Sequence, residues 1–273
     1  MNKIKTIVAV VLIAFCAGCG SKIKEKKDEV YSRHLQKKVP ITIITTPVPD
    51  NKSDFNLLIL NDGQDLDQLR VKEITDSLYR KKLIQPLLII GVTTLDRKQW
   101  YGVAGFSDYK KNGAAAEKYS NFIINELLPF VKKKSGVRKF KSITIAGNSL
   151  GALSALDIAW NNGDKFDKSG LFSGDFGFSD LDVSDSSYSK DKNRIITNKI
   201  RSSRKRPKVN YWFYAGSETG NIVENTNDII DLIRKKNVIA PGDLQFVENT
   251  DGSNDYQAWS AVFPQFLIWA VGK

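Results

Sequence analysis

At 273 residues, with two cysteines and a single histidine, the chain is long enough for one sizeable α/β core and too poor in thiols and imidazoles for a disulfide framework or a zinc cluster. Its formal net charge of +11 invites a nucleic-acid reading, but the basic clusters at 132–141 and 201–208 flank predicted helices and strands, lack interleaved aromatics and match no nucleic-acid module. The carboxylates show no ligand spacing and no dinucleotide or phosphate loop is present, so no metal, no cofactor and no nucleic acid is expected.

Lys3 and Lys5 precede an apolar run from Ile7 to Ala17 and the small residues Gly18-Cys19-Gly20. This is the layout of a secretory signal over residues 1–18, too short for a stable membrane span. Cys19 after Ala17-Gly18 resembles the lipobox of bacterial lipoproteins, with Cys16 where that motif prefers Leu. The resemblance implies lipidation of Cys19 and an exported protein anchored in the membrane of the cell envelope. Residues 19–38 are charged and poor in apolar side chains, which reads as a tether whose Lys22, Lys24, Lys26 and Lys27 suit anionic headgroups. The folded domain is expected over 39–273.

Ile41 to Thr46 is β-branched throughout and stops at the turn residues Pro47 to Ser53. Phe55 to Leu60 and Pro86 to Val92 are short apolar runs of the kind buried on both faces of a sheet. Between them, Leu66 to Lys82 has helical spacing. Polar and glycine-broken loops fill 93–114, and Ala115 to Lys133 is an amphipathic helix. Ser142 to Gly147 gives a central strand and Ala152 to Trp160 a helix. Phe166 to Phe172 is a strand, Ser179 to Asp191 an exposed loop over the site face, Arg194 to Ser203 a helix and Val209 to Tyr214 a strand. A helix over Thr226 to Lys236, a short strand from Leu244 to Val247 and an apolar helix from Gln257 to Val271 complete the chain. Alternating strands and helices predict an α/β fold with a mostly parallel sheet covered on both faces.

The segment that carries chemistry is Gly147-Asn-Ser149-Leu-Gly151. A strand ends at Gly147 and a helix begins at once, so this G-x-S-x-G has the strand, turn, helix setting of a nucleophile elbow. Further landmarks follow the same order along the chain. They are Leu57 to Gln64 ending in Asp62-Gly63-Gln64, the Asp96-Arg97…Tyr101-Gly102 loop, the helix end Asn125-Glu-Leu-Leu-Pro129-Phe, and Trp259 at the start of the last helix. Together they resemble the esterase family of α/β-hydrolases that includes esterase D, enterochelin and other siderophore esterases, and feruloyl or acetyl-xylan esterases. The match spans roughly 33–272 and is nearest to exported members from Bacteroidetes-type bacteria.

The resemblance implies an α/β-hydrolase fold, a small-molecule or glycan ester as ligand, and hydrolysis through nucleophilic Ser149. Backbone N–H groups of Gln64 and Leu150 would form the oxyanion hole, and Glu218 is the candidate acid. At one place the sequence breaks with the family. The histidine that precedes the tryptophan by five residues is Asn254 here, and an amide cannot accept the serine proton near neutral pH. His34 lies far upstream beside the tether, and Asp255 is too weak a base without strong desolvation. Trp100 stands where the family's loop has Glu, and Ala152 where a second glycine is common. Ordinary Ser-His-acid turnover is therefore expected to be weak or lost. The alternative is an inactive α/β-hydrolase-fold lipoprotein acting as a ligand-binding or envelope interaction protein, with Trp100, Trp259, Phe176 and Phe178 as candidates for a pocket lining, although core packing is the commoner use of such residues.

Overall fold

The computed structural model describes residues 23–217, 220–236, 240, 242–250 and 252–273. The proposed lipidation site Cys19 and the candidate acid Glu218 both lie outside the described residues.

Eight strands form one sheet. They are β1 (Lys24–Ser32), β2 (Lys37–Thr45), β3 (Asn56–Asn61), β4 (Leu87–Val92), β5 (Ile143–Asn148), β6 (Lys168–Phe172), β7 (Asn210–Gly216) and β8 (Leu244–Asn249). Their order is β1-β2-β4-β3-β5-β6-β7-β8, and every pairing is parallel except the two made by β2. The helices are α1 (Val71–Arg80), α2 (Arg97–Trp100), α3 (Ala116–Phe122), α4 (Leu128–Ser135), α5 (Leu150–Asn161), α6 (Lys190–Asn193), α7 (Ile195–Ser202), α8 (Ile222–Lys235) and α9 (Tyr256–Val271).

The period of two along the strands divides the core. In β3, Leu57 and Ile59 face one apolar cluster that includes side chains of α3, α4, α5, α7 and α8. Leu58 and Leu60 face the other, built with α1 and α9. β7 repeats the pattern, with Tyr211 and Phe213 on the first side and Trp212 and Tyr214 on the second. Both faces of the sheet are therefore covered, and the carboxyl ends of the parallel strands are left to carry a site.

Three expectations need correction. The stretch from Lys24 onward is not a tether: it forms β1, hydrogen-bonded to β2 from Lys24 opposite Thr45 to Ser32 opposite Lys37. Its charged residues lie mostly exposed on an edge strand, where lysines discourage further pairing. The first helix begins at Val71 rather than Leu66, because Gly63 to Asp65 forms a 3₁₀ turn and Arg70 enters the left-handed region at φ 53°. The long helix after 115 carries a π turn at Ile123–Leu127, two residues before Pro129. Proline has no N–H and its ring crowds the carbonyl four residues back, and the wider turn accommodates both.

Candidate active site

Ser149 sits between the last residue of β5 and the first of α5, with φ 53° and ψ −121°. For a residue with a Cβ this backbone costs on the order of 1–3 kcal/mol and needs surroundings that hold it. Those surroundings are specific. The Ser149 N–H donates to the Phe172 carbonyl at 2.9 Å, and its own carbonyl accepts from Ala152 and Leu153 at 3.0 and 3.1 Å and from Asp175 at 3.2 Å. The first flanking glycine is a steric necessity and the second is tightly enclosed. A Cβ on Gly147 would lie 2.6 Å from the Gly151 carbonyl, and one on Gly151 would lie 3.0 Å from Asp62 Oδ2. The five-residue pattern thus encodes the turn itself.

The turn after β3 packs beside the elbow. Leu60 is in register with Ala146, so Asn61 and Asp62 continue beside Gly147 and Asn148. Asp62 is fully buried, with φ 60°, and its carboxylate receives the Arg97 Nε–H at 3.1 and 3.2 Å and the Gln64 amide at 3.0 Å. Burial pushes the Asp62 carboxyl above its ordinary range, and the Arg97 charge opposes that rise. Arg97 also donates from Nη2 to the Asn148 carbonyl at 3.0 Å, so one guanidinium ties the β3 turn to the residue just before the nucleophile. From below, the Tyr101 hydroxyl accepts the Asp62 N–H at 2.8 Å and pairs with Thr94 Oγ1 at 2.5 Å.

The backbone N–H groups expected to serve as oxyanion donors, those of Gln64 and Leu150, are both unspent. The Leu150 N–H opens α5, where the first N–H groups of a helix have no internal acceptor. Neither it nor the Gln64 N–H has an acceptor among the described residues. Gln64 is immobilised through its side chain, which accepts from the Thr94 N–H at 3.1 Å as well as donating to Asp62.

Asn254 also lies at this edge of the sheet, but it is occupied elsewhere. Its Oδ1 accepts from the Gly216 N–H at 2.9 Å and from the Ser173 hydroxyl at 2.5 Å, and its Nδ2 donates to the Gly216 carbonyl at 2.8 Å. The amide therefore clips the end of β7 to the loop before α9, and the Trp259 indole N–H completes the cluster by donating to Ser173 Oγ at 2.9 Å. Ser149 Oγ makes no hydrogen bond among the described residues.

The two substitute bases fare no better. Asp255 caps α9, accepting from the Ala258 N–H at 2.9 Å, and that backbone hydrogen bond holds its carboxyl below the usual range. A carboxylate so stabilised is a poorer base still. His34 is exposed in the turn between β1 and β2. β2 and β1 stand three and four places from β5, roughly 14–19 Å at the usual strand spacing. Closer to the serine is Asp175, whose N–H donates to the Ser149 carbonyl and whose carboxyl is pushed upward by loss of solvation, against the pull of Arg97.

The aromatic candidates for a pocket lining are core. Trp100, Phe176, Phe178 and Trp259 are all buried. Trp100 lies over Tyr119 with ring centres 6.0 Å apart, and Phe176 meets Phe213 edge-on at 6.2 Å. Among the described residues no group of three or more metal-capable side chains occurs, and no helix is long and apolar enough to cross a membrane.

The comparisons with known proteins agree with this geometry. A family model described as "Putative esterase" matches residues 32–270. The chain belongs to this esterase family. Among solved structures, the esterase fold is shared with the enterobactin esterase of Shigella flexneri, at 19% identity and a TM-score of 0.71 over 90% of this chain and 59% of that one. A ferulic acid esterase superposes with a TM-score of 0.69 at 18% identity, covering 92% of this chain and 98% of that one. The BES protein of Bacillus cereus does so with a TM-score of 0.68 at 18% identity, over 99% of both chains. No protein of curated function matches the sequence.

Sequence reasoning missed the Arg97–Asp62–Asn148 link. Arg97 and Asp62 were visible only as family landmarks, although two polar residues directly after the apolar run Leu57 to Leu60 are a signal in themselves. Buried polar groups at a strand end must find partners.

Proposed function

We propose that this esterase-family chain binds a small-molecule or glycan ester at the Ser149 elbow and turns it over weakly or not at all. One observation carries the reading. The serine hydroxyl has no hydrogen-bonded proton acceptor among the described residues, while Asn254, at the position of the family's histidine, spends its amide on Gly216 and Ser173. Attack by a serine needs a base to take its proton. The oxyanion hole of Gln64 and Leu150 and the shaped elbow remain, so recognition of an ester carbonyl survives the loss of the base.

The ester ligand is inferred from the family and from neighbours whose names refer to enterobactin and ferulic acid. Export and membrane anchoring through Cys19 rest on the residues at 1–19 alone. Glu218 retains its assignment as the acid on sequence grounds only, one residue after the described end of the β7 turn.

A fluorophosphonate probe followed by intact-mass measurement tests the reading, since only an activated serine is phosphonylated quickly. The wild-type chain is expected to label slowly and Asn254→His faster. Rapid labelling of the wild type that disappears in Ser149→Ala would overturn the reading.

A further inference from the structure

A cavity lies far from the elbow, at the amino ends of β3 and β4. It has a volume of about 360 Å³ and is walled by Ile43, Phe55, Leu88 and Ile90 from the sheet side and by Phe130 and Val131 from the helical side. Protein interiors are packed as densely as organic crystals, and an apolar space of this size open to solvent is a poor place for water. Its volume falls at the lower end of the range for ligand pockets, roughly 300–1,000 Å³, which suits one hydrocarbon chain.

The mouth carries a definite charge. Lys24, Lys26, Lys52 and Lys134 line it together with Glu25. Glu25 is paired with Lys72 at 3.0 Å and Lys134 with Asp28, so these charges are locally balanced. Lys24, Lys26 and Lys52 form no ion pair among the described residues, although Lys26 acts on the Asp28 carboxylate through space. The Lys52 ammonium lies against Gly136, just past the end of α4, where a helix terminus favours positive charge. The site thus combines an apolar cavity, three ammonium groups outside any ion pair at its rim, and exposed Val48 beside them.

We propose that this cavity is a binding site for a single-chain anionic amphiphile, a fatty-acid carboxylate whose alkyl chain enters between the sheet and α4 while its head group meets Lys24, Lys26 and Lys52. The site is independent of Ser149, which occupies the opposite, carboxyl edge of the sheet. A cationic head would be repelled at the rim, and a neutral one would lose the electrostatic part of binding.

The test is titration of the full chain with the fluorescent fatty acid cis-parinaric acid, followed by competition with laurate, dodecanol and dodecylamine. Laurate is expected to displace the probe, dodecanol to do so more weakly and dodecylamine not to do so. Changing Lys24, Lys26 and Lys52 together to Gln should weaken laurate about tenfold, three exposed charge contacts each being of modest strength, and leave dodecanol unchanged. Ile43→Trp should abolish binding by filling the cavity, and Val48→Trp should do so from the mouth if the interior variant does not fold. Ser149→Ala should bind as the wild type does. Equal binding by the filled and wild-type proteins, displacement by dodecylamine, or displacement only by phosphatidylglycerol vesicles would overturn the assignment.

Discussion

The contact between Arg97 and Asp62 offers a prediction whose size can be worked from the structure. Asp62 is fully buried, while the Arg97 side chain is 35% exposed. Arg97→Gln removes the charge that balances a buried carboxylate and also the bond to the Asn148 carbonyl. Breaking a buried pair from one side costs about 3–5 kcal/mol, and partial exposure of the arginine reduces this to about 2–3 kcal/mol. For a domain of this size that is a fall of roughly 4–12 °C in the thermal midpoint. Asp62→Asn should cost less, about 1 kcal/mol, because it leaves behind a guanidinium that can turn to water. The pH dependence has a definite sign. Losing Arg97 lifts the Asp62 carboxyl further above its unfolded value, so the folded variant binds the extra proton and its deficit shrinks as the pH falls towards about 5. Calorimetry or urea unfolding of the three proteins at about pH 7 and pH 5 would decide the matter. A loss below about 1 kcal/mol for Arg97→Gln, a larger loss for Asp62→Asn, or a deficit that grows in acid would refute the reasoning.

Other outcomes follow from the same geometry. Ser149→Gly should stabilise the protein by about 1 kcal/mol in thermal unfolding, since glycine adopts φ 53° without penalty, while Ser149→Ala should bring no such gain. Gly147→Ala places a Cβ 2.6 Å from the Gly151 carbonyl and should cost about 1–3 kcal/mol through overpacking, read by urea midpoint. Asn254→His, assayed on p-nitrophenyl acetate, should raise turnover by about 10²–10⁴, the usual contribution of a positioned general base, and the gain should vanish in the double variant with Ser149→Ala. Asp255→Ala removes the α9 cap and should lower the thermal midpoint near neutral pH. The difference should fade as acid protonates Asp255, whose capping contribution is present only above its carboxyl range.

The sheet was legible because its inner strands are short apolar runs, and burial on both faces leaves no other use for a sequence such as Leu57-Leu-Ile-Leu60. The elbow was legible for a steric reason, since a side chain at Gly147 would meet the backbone of Gly151 and one at Gly151 would crowd Asp62. β1 was not. Lys-Glu-Lys-Lys-Asp-Glu has the composition of a solvated linker, and only pairing with β2, a non-local contact, makes it a strand. The substitution at Asn254 was visible as a missing base, but its hydrogen bonds to Gly216 and Ser173 join segments 38 and 81 residues apart and leave no local pattern. The weakness of Asp255 was foreseen from its ordinary acidity. Its capping of α9 adds the physical reason that it stays ionised.

The central proposal is that Ser149 keeps an elbow and an oxyanion hole but has no base among the described residues. It is tested most directly by steady-state hydrolysis of p-nitrophenyl acetate by the wild-type chain beside Ser149→Ala. The account predicts a wild-type rate barely or not at all above that of Ser149→Ala. Sustained turnover by the wild type that Ser149→Ala abolishes would contradict it and would direct the search for a base to Asp175, whose N–H is bonded to the Ser149 carbonyl.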